Sequence, residues 1–351
     1  MYGRRKEGNT VFKAAIVGCG RIASDFDNDS KRKDSIATHA GAYKFCPETE
    51  LLAAADIEAE QLRKFGKKWN IKNLYSDYGE MLKKEKIDIL SICTPSSVRL
   101  DICKKAVEAG VKAIFCEKPM AETLAEADEM IRLCGYKVIL AVNHLRRWDR
   151  LHQDIQKYIE DGKLGNIQHV DTYYTSGIAN TGVHRLDLLR FFFGEVAWVW
   201  SNFDGKENEV DPTVDTYLYF KSGVSAAMHG MNVKDYLISE VDIYGSKGRI
   251  RIENSGYRAV HWDVIEHPKF SGYKCLQEKG PVFEIGLRDT MVRAVEDIVS
   301  CIKSGGKPMS SGNDGRAVLE LISAAHESGK NQKGARVYLP LKKTDIVIKS
   351  K

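Results

Sequence analysis

Phe12-Lys13-Ala14-Ala15-Ile16-Val17-Gly18-Cys19-Gly20-Arg21-Ile22-Ala23 decides the reading of this chain. Its run of small and β-branched apolar residues suits a parallel strand covered on both faces. Gly18 and Gly20 then permit a tight turn and the close approach of a pyrophosphate to backbone N–H groups, and Ala23 takes the place of the third fingerprint glycine. The stretch predicts the opening of a dinucleotide-binding unit, with Gly18, Gly20, Arg21 and Ile22 as cofactor-binding candidates. Any strand-turn-helix with two glycines matches this pattern, so the neighbouring sequence has to support it.

Working outward, four further apolar runs are short enough for strands: Leu51 to Ile57, Ile87 to Thr94, Ala113 to Glu117 and Val138 to Asn143. Helical patterns lie between them, among them Ser97 to Ala109 before Gly110 and Thr123 to Leu133 before Gly135. Such alternation predicts an α/β fold with a doubly wound parallel sheet and right-handed crossovers. Asp56 ends the second run. An acidic residue there accepts hydrogen bonds from the adenosine ribose hydroxyls and repels a 2′-phosphate, and Ile57 and Glu58 add no cation, so NAD is expected rather than NADP. The interval from the glycines to Asp56 exceeds the usual spacing of about 20 residues. The polar stretch Asp25 to Ser35 accordingly reads as an insertion near the start of the first helix, which resumes around Thr38 to Phe45.

Thr94-Pro95-Ser96 and Glu117-Lys118-Pro119 follow their strands at the carboxyl ends, where open α/β sheets bind ligands. Thr94, Pro95, Ser96, Glu117 and Lys118 are therefore candidate cofactor contacts. A proline-bounded strand stop explains Pro95 equally well, and an exposed loop is the commoner fate of a lysine.

The 351 residues are too many for one ordinary core and fit two domains, read here as 1–145 for dinucleotide binding and 146–351 for substrate. No apolar run reaches membrane-span length, and Met1 to Thr10 is basic and polar, so neither anchor nor signal peptide is expected and the cytoplasm is the expected compartment. The net charge of +5 is dispersed, with Lys31-Arg32-Lys33 set among Asp27, Asp29 and Asp34, which argues against a nucleic-acid partner. Eight cysteines without a C-x-x-C pair point to buried free thiols rather than disulfides or zinc.

The second half changes character. Trp148 to Glu160 has helical spacing, and His169 to Thr175, Val196 to Phe203, Thr213 to Lys221, Val224 to His229 and Glu240 to Tyr244 read as antiparallel strands joined by glycine-containing turns. An α+β domain with a large, mainly antiparallel open sheet is expected, followed by helices at Leu287 to Lys303 and Gly315 to Ser328.

Gly18-Cys19-Gly20-Arg21-Ile22-Ala23, Asp56, Ser91-Ile92-Cys93-Thr94-Pro95, Cys116-Glu117-Lys118-Pro119-Met120 and Asn143-His144-Leu145-Arg146-Arg147-Trp148 together resemble the glucose-fructose oxidoreductase, inositol dehydrogenase and rhizopine-catabolism family. The match of order and spacing runs over nearly the whole chain. Glu-Lys-Pro after a dinucleotide-binding half is far more specific than the glycine motif alone. The resemblance implies that Lys118 hydrogen-bonds the reacting sugar oxygen, that the Lys118-Pro119 peptide is cis, and that the open sheet makes homodimers or homotetramers. It also singles out Ser176 to Asp187, where the resembling enzymes present Asp-x-x-x-His on a helix facing the nicotinamide.

His184 stands at the histidine position of that motif and Asn180 where many members carry aspartate, a departure shared with relatives acting on nucleotide-linked sugars. Residues four apart share a helix face, so the geometry is sound if the helix starts by Asn180. The expected catalytic set is Lys118, His184 and Asn180. Arg146, Asn180, His184 and Asp187 are the substrate-binding candidates, with Arg146 and Arg147 suggesting an acidic or phosphorylated sugar against the alternative of surface ion pairs. No metal is expected, because His184 and Asp187 lack a third ligand at a recognisable spacing. The activity implied is NAD-dependent hydride transfer at a secondary alcohol of a sugar or polyol. A non-catalytic NAD-binding regulator and an NAD-using glycosidase are the rival readings.

Overall fold

The computed structural model describes residues 10–32, 35–206, 208–281, 286–331 and 335–350. Residues 1–9, together with Lys33 and Asp34 of the charge run, lie outside them. Two compact units emerge. The first takes the described residues up to Trp148 together with Arg288–Ala317, and the second takes Asp149–Leu287 and those from Val318 onward. A single cut at 145/146 therefore differs from the structure in the return of 288–317. The reason is burial: helix Thr290–Ser304 puts Met291, Val295, Ile298 and Val299 into the core that holds Phe12, Ile16, Tyr43 and Phe115.

The first unit is built on β1 (Phe12–Val17), β2 (Thr49–Ala55), β3 (Asn73–Tyr75), β4 (Ile89–Ile92), β5 (Ala113–Cys116) and β6 (Ile139–Val142). Their spatial order is β3-β2-β1-β4-β5-β6 and every pairing is parallel. All residues of β4 and β5 are buried, which is why they read as unbroken apolar runs. The crossover helices are α1 (His39–Phe45), α2 (Ala59–Trp69), α3 (Tyr78–Lys84), α4 (Arg99–Glu108) and α5 (Leu124–Cys134). Sequence-local caps fix their starts: Thr123 and Glu126 form a capping box before α5, and Asp77 and Thr38 accept first-turn amides of α3 and α1.

The polar insertion has a defined anatomy. The His39 amide donates to the Ile22 carbonyl (3.2 Å) and the Ala40 amide to the Ala23 carbonyl (3.0 Å). In a continuous helix those carbonyls would take the amides of Phe26 and Asp27. Both bonds are displaced by the same 13 residues, so the helix that opens after Gly20 resumes in register at His39. Asp27 fastens the excursion by accepting from the Ala37 amide (2.8 Å) and the Thr38 hydroxyl, while Gln61, Lys68 and Trp69 of α2 donate to Asp25 and Ser24. Setting those 13 residues aside restores Asp56 to a spacing near the usual ~20.

The second unit opens with α6 (Arg150–Glu160) and carries β7 (Ile167–Tyr174), α7 (Val183–Phe193), β8 (Val196–Asn202), β9 (Asp215–Phe220), β10 (Ser225–Gly230), β11 (Glu240–Gly245), β12 (Gly248–Glu253), β13 (Arg258–Glu266), β14 (Lys274–Pro281) and β15 (Val337–Tyr338). They form one sheet in the order β14-β13-β12-β11-β7-β10-β9-β8-β15. The sheet is mainly antiparallel as expected: its pairings are antiparallel except β7 with β10, which run parallel. The cause is α7, which carries the chain from the end of β7 back to the start of β8, so that the β8-β9-β10 meander returns beside β7 in the same direction. Burial alternates along β9 and β12, the signature of a sheet with one covered face.

Candidate active site

In the first unit the site begins where β1 ends. Gly18 has φ +89°, and a Cβ there would lie 2.9 Å from the Cys93 carbonyl carbon, so backbone crowding from the end of β4 demands glycine. Gly20 differs. A Cβ built on it meets no protein atom within 4 Å, so the packing of this chain does not require glycine there, whereas the close approach of a pyrophosphate does. Asp56, directly after β2, accepts the Cys19 amide (2.6 Å) and the Glu58 amide (2.8 Å), which ties the glycine turn to the second strand. At the end of β4 the buried Thr94 hydroxyl has no hydrogen-bond partner among the described residues. Buried polar atoms are nearly always paired, so this one fits a bound nucleotide. Glycine turn, acidic strand end and orphaned hydroxyl together suit a dinucleotide.

Beyond β5 the Lys118–Pro119 peptide is cis, as the resemblance implied. Arg99, buried on α4, donates to the carbonyls of Thr94 (2.9 and 2.5 Å), Glu117 (2.6 Å) and Pro119, binding the two strand-end loops to each other. The Glu117 carboxylate, named above as a cofactor contact, is instead buried and accepts from His39 Nε2 (3.0 Å), Asn143 Nδ2 (2.6 Å) and the Lys118 amide (3.3 Å). Burial pushes this carboxyl up, but His39, the Lys118 charge and the Asn143 amide outweigh it and hold the group at about 2. Lys118 itself is half-buried. Arg146 and Arg147 are both buried, and Arg147 pairs with Asp314 at 3.1 Å rather than lying on the surface.

In the second unit β7 runs into Ser176 and Gly177, with φ +65° and +87°. The Gly182 amide then reaches back to the Gly177 carbonyl (3.0 Å), making Ile178–Gly182 a π-helical turn that leads directly into α7. Asp211, 1% exposed, accepts the amides of Ala179 (2.9 Å) and Asn180 (3.0 Å), one on each carboxylate oxygen. A Cβ on Gly177 would sit 2.3 Å from that carboxyl, so glycine is obligatory there. Tyr174 adds a second brace, its hydroxyl donating to the Val214 carbonyl (2.9 Å) and accepting the Val214 amide (2.8 Å). Along 178–189 only Asn180, Thr181 and His184 are partly exposed. Asp187, one turn further on, is 2% exposed and belongs to the interior face.

His39, Arg99 and Asp211 escaped the sequence reading. Glu117 and His39 are 78 residues apart and Asn180 and Asp211 are 31 apart, so no local pattern joins them. Among the described residues no group of three or more His, Cys, Asp or Glu could hold a metal ion, and all eight cysteines are free thiols.

Two models of an oxidoreductase family match the chain: its NAD-binding Rossmann fold over residues 12–144 and its C-terminal alpha/beta domain over residues 171–339. A D-apiose dehydrogenase from Paraburkholderia graminis is 25% identical over 91% of this chain and 88% of its own length. A myo-inositol 2-dehydrogenase from Thermotoga maritima is 25% identical over 93% of this chain and 98% of its own. Among solved structures, a levoglucosan dehydrogenase in complex with NADH and L-sorbose superposes with a TM-score of 0.77 at 19% identity, covering 94% of this chain and 99% of that one. The site and fold thus define an NAD-binding oxidoreductase. The chain belongs to the glucose-fructose oxidoreductase, inositol dehydrogenase and rhizopine-catabolism family.

Proposed function

We propose that this protein is an NAD-dependent dehydrogenase or ketoreductase acting on a secondary alcohol or ketone of a sugar, sugar acid, nucleotide sugar or polyol. The observation that carries the reading is the accessible Asn180, Thr181 and His184 edge of a helix start that is otherwise buried and braced by Asp211. Bound NAD supplies the hydride acceptor. Lys118 polarises the substrate oxygen, and its ammonium stabilises the charge that develops there as the carbon gives up its hydride. His184 takes the hydroxyl proton in oxidation and returns it in reduction, the general acid–base role for which imidazole is the commonest side chain. Asn180 brings an uncharged amide to the same exposed edge as His184, and Arg146 supports an acidic substrate. Gly18, Gly20, Arg21, Ile22 and the Thr94-Pro95-Ser96 loop hold the nucleotide, with Asp56 favouring NAD. Relatives named for apiose and inositol support a sugar or polyol.

The test follows nicotinamide absorbance with NAD+ and NADP+ against D-apiose, myo-inositol, levoglucosan, uronates and nucleotide sugars. Reduction of NAD+ by at least one polyol or sugar is expected, with NADH bound more tightly than NADPH. NADH binding without turnover of any of these would favour the regulator, and glycoside cleavage without net cofactor reduction would favour the glycosidase.

We further infer a homodimer or homotetramer formed through the half-exposed sheet face and a cytoplasmic location, which NAD-coupled chemistry and free thiols support. On that face Trp198 stacks on Tyr217 and Tyr219 with ring centroids 5.7 and 5.5 Å away, and Arg249 lies over the rings of Tyr244 and Trp262. Aromatic residues and arginine are the types that dominate protein interfaces. Sedimentation of Trp198→Glu alongside the unmodified protein tests this: an unchanged mass would remove the surface from the assembly.

A further inference from the structure

Cys103 sits on α4 and Cys134 is the last residue of α5, and their sulfurs lie 3.8 Å apart where the two crossover helices meet. Cys103 is 0% exposed and Cys134 is 3% exposed. Among the described residues no other two thiols are in hydrogen-bonding contact. The surroundings of the two sulfurs differ. Cys134 ends its helix: the Gly135 amide still reaches the Ile131 carbonyl (2.9 Å), but Gly135, Tyr136 and Lys137 are exposed. Cys103 lies inside α4, one turn after Arg99. Cys134 is thus the thiol nearer to solvent. The Cys103 S–H donates to it and draws it down from its ordinary value against the opposing effect of burial, while Cys103 is pushed up by the same hydrogen bond and by its own burial. Burial pushes the other buried thiols, Cys19, Cys46, Cys116 and Cys301, up as well. Since the thiolate is the reactive form, Cys134 is the buried sulfur primed to react first.

We propose that Cys103 and Cys134 form an oxidation site, in which a hydroperoxide such as hydrogen peroxide converts the pair to a reversible disulfide bridging α4 and α5. The Cys134 thiolate attacks one peroxide oxygen: the O–O bond breaks, an S–O bond forms, and the departing hydroxide takes a proton and leaves as water. Cys134 is then a sulfenic acid. The Cys103 sulfur attacks that of Cys134, the S–S bond forms as the S–O bond breaks, and the Cys103 proton leaves with the hydroxyl as a second water. Two thiols have given up two electrons and one peroxide has taken them. The sulfurs must close from 3.8 Å to about 2.0 Å. The terminal residue of a helix supplies that movement at low cost, because only the last turn has to shift. In a reducing compartment such bridges are transient, which suits a pair that rests as free thiols.

The test uses the full, reduced chain. It is exposed to hydrogen peroxide near neutral pH at a dose that fully oxidises free cysteine, quenched with catalase, denatured and alkylated with iodoacetamide, and its digest is mapped by mass spectrometry without reductant. Free thiols counted in denaturant should fall from eight to six, with Cys103 and Cys134 joined in one linked peptide that dithiothreitol releases. Chains treated with peroxide in guanidinium should lose that selectivity, because the folded contact is what selects the pair. Cys103→Ala should leave Cys134 as a sulfenic acid that dimedone captures, and Cys134→Ala should leave Cys103 uncaptured. If either variant does not fold, the linked peptide of the unmodified protein still decides. Eight thiols surviving the peroxide, a bridge to any other cysteine, dimedone on Cys103 instead of Cys134, or an equal yield of the linked peptide from denatured chains overturns the inference.

Discussion

Each unit has a strand end where a glycine of positive φ turns the chain into a helix and a distant aspartate accepts from the backbone of the turn. In the first the glycine is Gly18 and the acid Asp56; in the second they are Gly177 and Asp211. The difference lies in what the acid leaves open. Asp56 takes a single amide of its turn, that of Cys19, and beside it Gly20 has protein-free space where a Cβ would go. Asp211 is buried and puts one oxygen on each of two consecutive helix amides. A helix start attracts anions. The first turn can receive that anion from a nucleotide, whereas the second has it built in and is left with only a side-chain face to offer a ligand.

The comparison breaks most readily at Lys118, which belongs to the ligand-receiving unit. Lys118→Ala should bind NADH normally yet lose about 100-fold or more in kcat, the usual cost of removing a transition-state charge contact. Stopped-flow binding beside steady-state turnover checks both halves. Next comes the built-in anion: Gly177→Ala drives a methyl group into the Asp211 carboxyl and should cost about 2–3 kcal/mol of stability in urea unfolding. Gly20→Ala, by contrast, should unfold within about 0.5 kcal/mol of the unmodified protein.

Acid separates the units by a similar amount. His326 lies in the second, where burial and then the Lys330 charge bring its imidazole from 6.5 to about 4. The unfolded chain protonates first, so this stabilisation is complete above pH 6.5 and is lost as pH falls toward 4. Glu117 in the first unit is held at about 2 against an ordinary 4.5, so its contribution is complete above pH 4.5 and is lost only as pH falls toward 2. Each is worth about 3 kcal/mol. Urea midpoints measured between pH 7 and 4 should fall for the unmodified protein and flatten in His326→Leu; equal slopes would remove His326 as the cause.

Two smaller effects sharpen the contrast. Gly20→Ala should weaken NADH binding by about tenfold while leaving folding intact, because only the ligand needs that space. Asn180→Asp adds a carboxylate near His184 and should raise the pH-rate limb that reports the histidine by about 1 unit. A limb that stays in place in a variant that folds and binds NADH would take Asn180 off the histidine's face.

What the sequence disclosed follows the same division. Strands β4 and β5 are buried throughout and β1, β2 and β6 over most of their length, so their apolar runs stand out, whereas β3 has three half-buried residues and leaves no run to see. In the second sheet β12 to β14 interleave Arg249, Arg251, Asp263 and Lys279 with apolar residues, and the charged faces masked the strands. Lys118, Asn180 and His184 are proposed from the sequence because motif context surrounds them. Asp211 and His39 were not, since each acts on a group far along the chain and neither carries a local pattern of its own.

The excursion between Ala23 and His39 shows that a motif spacing is counted along hydrogen bonds rather than along the chain. Ile22 and Ala23 hand their carbonyls to His39 and Ala40 as though the intervening residues were absent, and Asp27 closes the loop at its own base. To the sheet and to the glycine turn the helix is uninterrupted. That makes the loop a natural port for engineering: a peptide tag or fluorophore site spliced beside Asp29 would extend outward from a sealed helix, with its ends already clasped, and would leave the nucleotide turn at its original geometry.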